Sequence, residues 1–496
     1  MLRKDGRRVG IPAGRQGVFA RACLVIGWLL GASGDAEGFG NAPAWPERLK
    51  GRPNVLLVTV DTLRADHLGC YGYFRDTSPT LDALVGDSIF FERCLVPVAQ
   101  TLPSHLSLMT GVYPLEHGIT SNLEKPGGQR FASTPQLRTT AEFFKSKGYT
   151  TAAFVSATPL KRSSGIAAGF DVFSEPSHAR RLGAETTQAV EEWLASRPAE
   201  PFFLWVHYFD PHAPYDPPSP YDEMFQTEPR LEALLTARSV PSRVQKQRND
   251  RRVVPEDEAW DTRKAINGYD GEIRYVDDQI KALLAALRER SQWDRTVFAF
   301  TSDHGEGLGQ HGIVMHDAVW FEQLHVPLLI RVPGMPGRRV SHAIRTIDVI
   351  PTLLALAPDL QADEYLKQCR GLNVLSPGYK PVELFGQEPG GRSETYTLIS
   401  GDWKLVIGEG AGELLFHLPT DRHELKNVAK DQPDVVRRMR DQLRTLLADQ
   451  KARGRHYQQG RPSAPADDAG RAQRQEELRG LGYMDTEEPD EEEDPE

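Results

Sequence analysis

Continuous apolar, β-branched runs recur along the chain. Each is separated from the next by a segment in which apolar residues return every three or four positions. PNVLLVTVD (Pro53 to Asp61), YTTAAFVSA (149–157), PFFLWVHYFDPH (201–212), TVFAFTSDHG (296–305) and HVPLLIRVPG (325–334) read as strands covered on both faces. LRTTAEFFKSKG (137–148), ETTQAVEEWLAS (185–196) and a long stretch from about Arg263 to Arg290 carry the helical period. Strand alternating with helix predicts an α/β fold with a mostly parallel central sheet. After about Gly386 the pattern changes to short alternating strands in TYTLISGDWKLVIG and GELLFHLPTDRHELKNVA, which predicts a small antiparallel subdomain over 386–430. A helix over roughly Asp434 to Arg453 opens a helical tail, 431–483. The charged segment between about Tyr221 and Trp260 lacks clear periodicity and reads as an insertion or lid.

With 496 residues, 39% of them apolar, the chain can bury the core of one large domain or two ordinary ones. The net charge of −10 is concentrated at one end. Nine of the last twelve residues are acidic, 484–496 reads as a disordered tail, and the remainder is close to neutral. Nothing in this balance favours nucleic acid. The N-terminus is basic and runs into CLVIGWLLGAS (Cys23 to Ser33), so 1–34 reads as a signal peptide or N-terminal anchor, with cleavage favoured near Gly34. The expected location is therefore periplasmic, secreted or anchored, with no membrane span beyond that segment. Cys70, Cys94 and Cys369 would remain after cleavage; their spacing matches neither a zinc ribbon nor a disulfide scaffold, and buried small hydrophobes are expected.

Ligands of parallel α/β folds bind beyond the carboxyl ends of the strands. Three predicted strands end in ionisable residues: Asp61, Asp210-Pro-His212 and Asp303-His304. In VPVAQTLPSHLSLMTG, Thr101 stands at a helix entrance ahead of Pro103. An N-cap threonine is one account of it; a nucleophile placed where amides and the helix dipole favour an anion is the other. His207, internal to its strand, reads as a satisfied core histidine. His117 and His311 read as turn residues, and Glu272 and Asp277 as a solvated or salt-bridged helix face.

The order of motifs, NVLLVTVDTLRADHLGCYGY, TLPSHLSLMTGVYPLEHGI, HYFDPHAPYDPP, FTSDHGEGLGQHG, TIDVIPTLLALA and ELLFHLPTDRHELKNVA, resembles the sulfatase family of the alkaline-phosphatase-like superfamily from about Pro53 to Ala429. The resemblance implies an α/β/α sandwich as a catalytic domain over 50–385. It implies metal-dependent hydrolysis of sulfate or phosphate esters of small molecules, glycans or lipids, with one divalent ion held by Asp61, Thr101, Asp303 and His304. Two departures modify that expectation. Threonine stands where the family carries the cysteine or serine that becomes formylglycine, so no formylglycine is expected, and a metal-activated threonine favours phosphorus over sulfur. Asp61-Thr62 and Asp303-His304 replace the family's paired aspartates and Asp-Asn, which favours Mn or Zn over Ca or Mg. By the same resemblance His105, one turn after Thr101, would orient the nucleophile, His212 and His316 would serve the leaving group, and Asn122 would contact substrate. Arg64, Asp66 and His67 are expected to tie down the first loop. The rival readings are a phospho-head-group transferase of the same superfamily and a non-catalytic member that binds an anionic ester or glycan.

Overall fold

In β1 (Asn54–Val60) every residue is buried, because the strand is covered twice. Val55 and Leu57 enter one apolar layer, and Leu56, Val58 and Val60 enter the other. This is the period-two geometry of a central strand. The computed structural model describes residues 52–122, 130–244, 260–390, 394–408, 412–461, 473 and 475–478. The expected leader (1–34), the acidic tail (484–496), and parts of the charged insertion and helical tail lie outside them.

Beside β1 the main sheet contains β2 (Ile89–Leu95), β3 (Thr150–Phe154), β4 (Val172–Ser174), β5 (Phe202–Tyr208), β6 (Thr296–Ser302), β7 (His325–Arg331), β8 (Arg338–Val340) and β9 (Ile344–Arg345). Its order is β8-β2-β7-β6-β1-β5-β3-β4, with β9 also on β2. β1 pairs in parallel with both β5 and β6. Only β7 runs against its neighbours, β2 and β6. The sheet is therefore mostly parallel, as the alternation implies. β2 is an addition to the expected strands: Glu92 and Arg93 interrupt its apolar run, and the register shifts there between Phe91 and Cys94.

One face is covered by α2 (Thr101–Thr110), α3 (Thr140–Ser146) and α6 (Val349–Ala355), the other by α1 (Pro79–Leu84), α4 (Gly183–Ala195) and α5 (Thr262–Glu289). The result is a three-layer α/β/α sandwich. In the insertion, Pro229–Ala237 is a helix that buries Leu231 and Leu235, so this stretch is packed rather than a structureless lid. Glu272 and Asp277 are likewise buried, not solvated. Asp277 accepts the amides of Thr80 and Leu81 at 2.8 and 3.0 Å and so caps α1, while Glu272 accepts that of Asp216 at 3.1 Å. Cys70, Cys94 and Cys369 are free thiols. No helix among the described residues is long and apolar enough to cross a membrane.

A separate antiparallel sheet, β10 (Leu384–Gln387), β11 (Tyr396–Ser400), β12 (Trp403–Gly408) and β13 (Gly412–His417), packs against α7 (Pro433–Gln458). It is fastened to the main domain by a fully buried ion pair. Lys404 Nζ lies 2.5 Å from Glu424 Oε1 and donates to the Val319 carbonyl at 2.6 Å, and Glu424 Oε2 accepts the Phe321 amide at 3.0 Å. Burial pushes the Glu424 carboxyl up despite its lysine neighbour. Lys404→Met should lower stability by about 3–5 kcal/mol by leaving Glu424 buried and unpaired. The urea unfolding midpoint measures it, and the double variant Lys404→Met/Glu424→Leu should recover most of the loss.

Candidate active site

Val60 and Ser302 are register partners on adjacent parallel strands, so the residues that follow them, Asp61 and Asp303, leave the sheet side by side. The two loops are stitched together. Leu63 N–H donates to Ser302 Oγ at 3.0 Å, Ser302 Oγ donates to the His304 carbonyl at 2.6 Å, and Tyr269 Oη joins the Thr62 carbonyl to the Arg64 amide. Arg64 grips Asp66 and the carbonyls of Glu306 and Gly307, and His67 and Arg75 share the buried Asp270. Gly305 follows His304 because a Cβ there would lie 2.1 Å from the Glu322 carbonyl oxygen. Thr62 is held at φ +53°, a costly conformation for a β-branched residue, and its buried hydroxyl has no partner.

Within this frame Asp303 uses its two oxygens differently. Oδ1 accepts the amides of Thr62 and His304 at 3.2 and 2.9 Å, which turns Oδ2 toward Asp61 and His304 with no partner. The His304 Nδ1 proton goes to the Gly305 carbonyl at 2.9 Å, so Nε2 presents a lone pair. That lone pair sits 3.5 Å from Asp303 Oδ2 and 3.7 Å from Asp61 Oδ1. Both Asp61 oxygens, Asp303 Oδ2 and His304 Nε2 are buried without a hydrogen-bond partner among the described residues. Burial first, then the facing Asp303 and Glu306, pushes the Asp61 carboxyl well up; burial pushes Asp303 up and His304 down. Lone pairs converging without donors are a donor set for a divalent cation, and the one imidazole and two carboxylates present fit such an ion.

The first turn of α2 closes one side. Thr101 is its first residue, with Gln100 at the N-cap, so the threonine is not itself the cap. Asn122 holds this turn: its Oδ1 accepts the Leu102 amide at 2.7 Å and its Nδ2 lies 3.4 Å from Thr101 Oγ1. Ser104 Oγ donates to the Asp303 carbonyl at 2.6 Å. His105 sits behind the turn, and burial holds its pKa down. Its Nδ1 donates to the Thr101 carbonyl at 2.8 Å and lies 3.6 Å from Asp303 Oδ2. Its Nε2 accepts from Thr59, whose oxygen in turn accepts the Trp205 indole N–H at 2.9 Å. His105 therefore fixes the backbone of Thr101 rather than its hydroxyl.

On the other side the Nε2 atoms of His212 and His316 lie 3.4 Å apart, and the His316 ring is 4.4 Å from that of His304. His212 donates Nδ1–H to the Ala213 carbonyl at 2.8 Å, and burial, then His316, holds its pKa down. Burial also opposes the charged form of His316, but Asp317 at 3.1 Å, with Glu306 and Asp303, outweighs it and raises its pKa. The pair is thus a proton-bearing His316 beside a lone pair on His212.

All eight residues singled out in the sequence, Asp61, Thr101, His105, Asn122, His212, Asp303, His304 and His316, meet in one region. His207 joins them, which corrects its reading as a satisfied core histidine: the Ser156 amide donates to its Nδ1 at 3.3 Å, leaving an unpartnered Nε2–H 3.4 Å from Asp61 Oδ2. The available signal was an ionisable residue within the otherwise apolar run FFLWVHYF. Glu306, fully buried and pushed up to about 7 by burial, also lines the region. His117 and His311 are not plain turn residues: His117 is buried against Ser107, and His311 stacks on Trp320 at 4.0 Å.

A family model described as Sulfatase matches residues 53–360. The chain belongs to the sulfatase family. It is 25% identical over 442 residues to the uncharacterized sulfatase YidJ of Escherichia coli (strain K12), covering 79% of this chain and 86% of that one. It is also 25% identical over 464 residues to an arylsulfatase of Clostridium perfringens, covering 78% and 93%. Among solved structures, the phosphonate monoester hydrolase of Agrobacterium radiobacter superposes with a TM-score of 0.63 at 21% identity, covering 80% of this chain and 96% of that one. Sulfatase-family members are metal-dependent ester hydrolases, and this chain is accordingly an enzyme acting on ester bonds.

The raised carboxyls set a pH dependence. Each binds a proton more tightly folded than unfolded, so the contribution of these two carboxyls to the stability of the metal-free protein is fully present below the ordinary carboxylate range and is lost as pH rises through their folded pKa values. At pH 7.5, metal-free Asp61→Asn should be more stable than metal-free wild type by about 1–3 kcal/mol. A divalent cation should raise the Tm of wild type but not of the variant. Scanning calorimetry with and without chelator measures both.

Proposed function

We propose that this sulfatase-family enzyme hydrolyses phosphate or phosphonate esters, with Thr101 as nucleophile. The observation that carries this reading is the position of Thr101 at the N-terminus of α2, in a turn bonded to the same Asp303 that turns Oδ2 toward Asp61 and His304. Asp61, Asp303 and His304, with the Thr101 hydroxyl, would hold one divalent ion, and the mixed oxygen and imidazole set favours Mn or Zn over Ca. Such an ion supplies Lewis acidity and positive charge at the transferring group.

The side chains do the rest. Asn122 Nδ2 orients the Thr101 hydroxyl, and His105 fixes the carbonyl of the same residue. The Leu102 amide is taken by Asn122 and Pro103 has none, so the N-terminus of α2 would favour the incoming anion through its dipole. A bond forms from Thr101 Oγ1 to phosphorus as the bond from phosphorus to the alcohol oxygen breaks. The proton lost by Thr101 and the one gained by the departing alkoxide balance through the His212–His316 pair. Water then cleaves the threonyl ester at phosphorus and restores the hydroxyl. A sulfuryl group on threonine lacks the elimination route that a hydrated aldehyde provides, which supports phosphorus over sulfur. The similarity to a phosphonate monoester hydrolase, alongside sulfatases, is compatible with it.

A panel of 4-nitrophenyl sulfate, phosphate, phosphodiester and phenylphosphonate esters, each with Ca, Mg, Mn or Zn, tests the assignment. Phosphorus esters with Mn or Zn should be turned over, and Thr101→Ala should lower kcat by roughly 10³-fold or more. Preferred turnover of the sulfate ester, or an active alanine variant, would overturn it.

A further inference from the structure

Two successive arginines beyond the end of β3 are treated differently by the fold. Arg181 is spent on the protein: its guanidinium donates to Thr186 Oγ1, Ser174 Oγ and the Val155 carbonyl at 3.2, 3.0 and 3.0 Å. Arg180 makes no side-chain hydrogen bond and has no carboxylate within ion-pair distance among the described residues. The residue is half-buried, with its guanidinium over the ring of Phe209, 5.8 Å from the centroid. That ring stacks on His212 at 4.5 Å, so Arg180 stands one aromatic layer from the His212–His316 pair.

Its backbone is fixed. Ala157 and Arg180 form an antiparallel bridge, the Thr158 amide donates to the Ala179 carbonyl at 3.1 Å, and the Arg181 amide donates to that of Ser156 at 3.0 Å. Ser156 in turn donates through its hydroxyl to the His207 carbonyl at 2.6 Å, which ties this segment to the site. The charge reaches inward as well: Arg180 helps hold down the pKa of His212 and opposes the upward shifts that burial gives Asp210 and Glu272. Those two carboxyls are held by amides, Asp210 by that of Gly183 at 3.0 Å and Glu272 by that of Asp216, not by Arg180. A planar cation over an aromatic face, carried on a fixed backbone beside the His212–His316 pair, is suited to an oxyanion with two coplanar oxygens.

We propose that Arg180 binds an anionic group, first of all a carboxylate, on the alcohol portion of the substrate, so that the enzyme acts on esters of acidic alcohols; this rests on the ester-hydrolase reading above. Two measurements separate failure of one from failure of the other. The first is equilibrium binding by calorimetry of benzylphosphonate and of its meta- and para-carboxy derivatives to wild type, Arg180→Ala and Thr101→Ala, with Mn present. The second is kcat/KM for phenyl phosphate against its carboxy and sulfo derivatives in wild type and Arg180→Ala.

A carboxylated ligand should lose about tenfold or more in affinity beyond what the uncharged one loses in Arg180→Ala, and Thr101→Ala should keep the preference. The kinetic ratio should fall in parallel, and the sulfo arm distinguishes carboxylate from sulfonate recognition. Equal losses for charged and uncharged ligands would assign Arg180 to the Asp210–Glu272 region and overturn the proposal, as would no loss at all. Absence of turnover with the binding preference intact would overturn the hydrolase reading alone.

Discussion

Two carboxylates and an imidazole lone pair, all buried, face one another between the ends of two neighbouring strands. Left alone they repel, and among the described residues none of the facing atoms accepts a hydrogen bond. The parallel pairing of β1 with β6 makes Asp61 and Asp303 neighbours, and the amides of Thr62 and His304 on Asp303 Oδ1 decide which way its other oxygen points. Hydrogen bonds that look like ordinary loop anchoring thus set the direction of the converging lone pairs. The cost of that arrangement falls on the metal-free state, and it is what makes the region selective for positive charge.

Around this centre the fold separates holding from reacting. His105 is enclosed by Thr101, Thr59 and Trp205, and its bond to the Thr101 carbonyl holds the first turn of α2 while burial lowers its pKa. His212 and His316 are shifted in opposite directions by their surroundings, the first downward by burial and the second upward by Asp317, so the charged form is favoured on one ring and disfavoured on the other. Three histidines within one region therefore differ because their second nitrogens meet a threonine hydroxyl, a carbonyl or a carboxylate.

Much of this was legible because the sheet is buried on both faces. Runs such as NVLLVTV admit few interpretations, and a carboxylate at the end of such a run, as at Asp61 and Asp303, stands out against it. Contacts that depend on tertiary placement were not legible. His207 looked like a core residue because its strand context is apolar on both sides, and only the packing of β5 against β1 reveals the facing Asp61. β2 was hidden by Glu92 and Arg93 at its bulge, and Glu272 and Asp277 looked solvated because their amide partners lie about 56 and 197 residues away in the chain. The family resemblance singled out Asn122, His212 and His316 as candidates, which local pattern alone would have left as loop residues.

The Lys404–Glu424 clasp has a consequence for biosynthesis. The carbonyl it holds, that of Val319, lies three residues past His316, yet the ammonium that satisfies it is encoded 85 positions further on. A ribosome-bound chain that has already formed β1 and β6 still lacks the cation needed to seat the His316 segment. The segment that carries His316 is therefore buttressed only when the C-terminal quarter has emerged, and a prematurely terminated product would carry every proposed ligand while missing that contact.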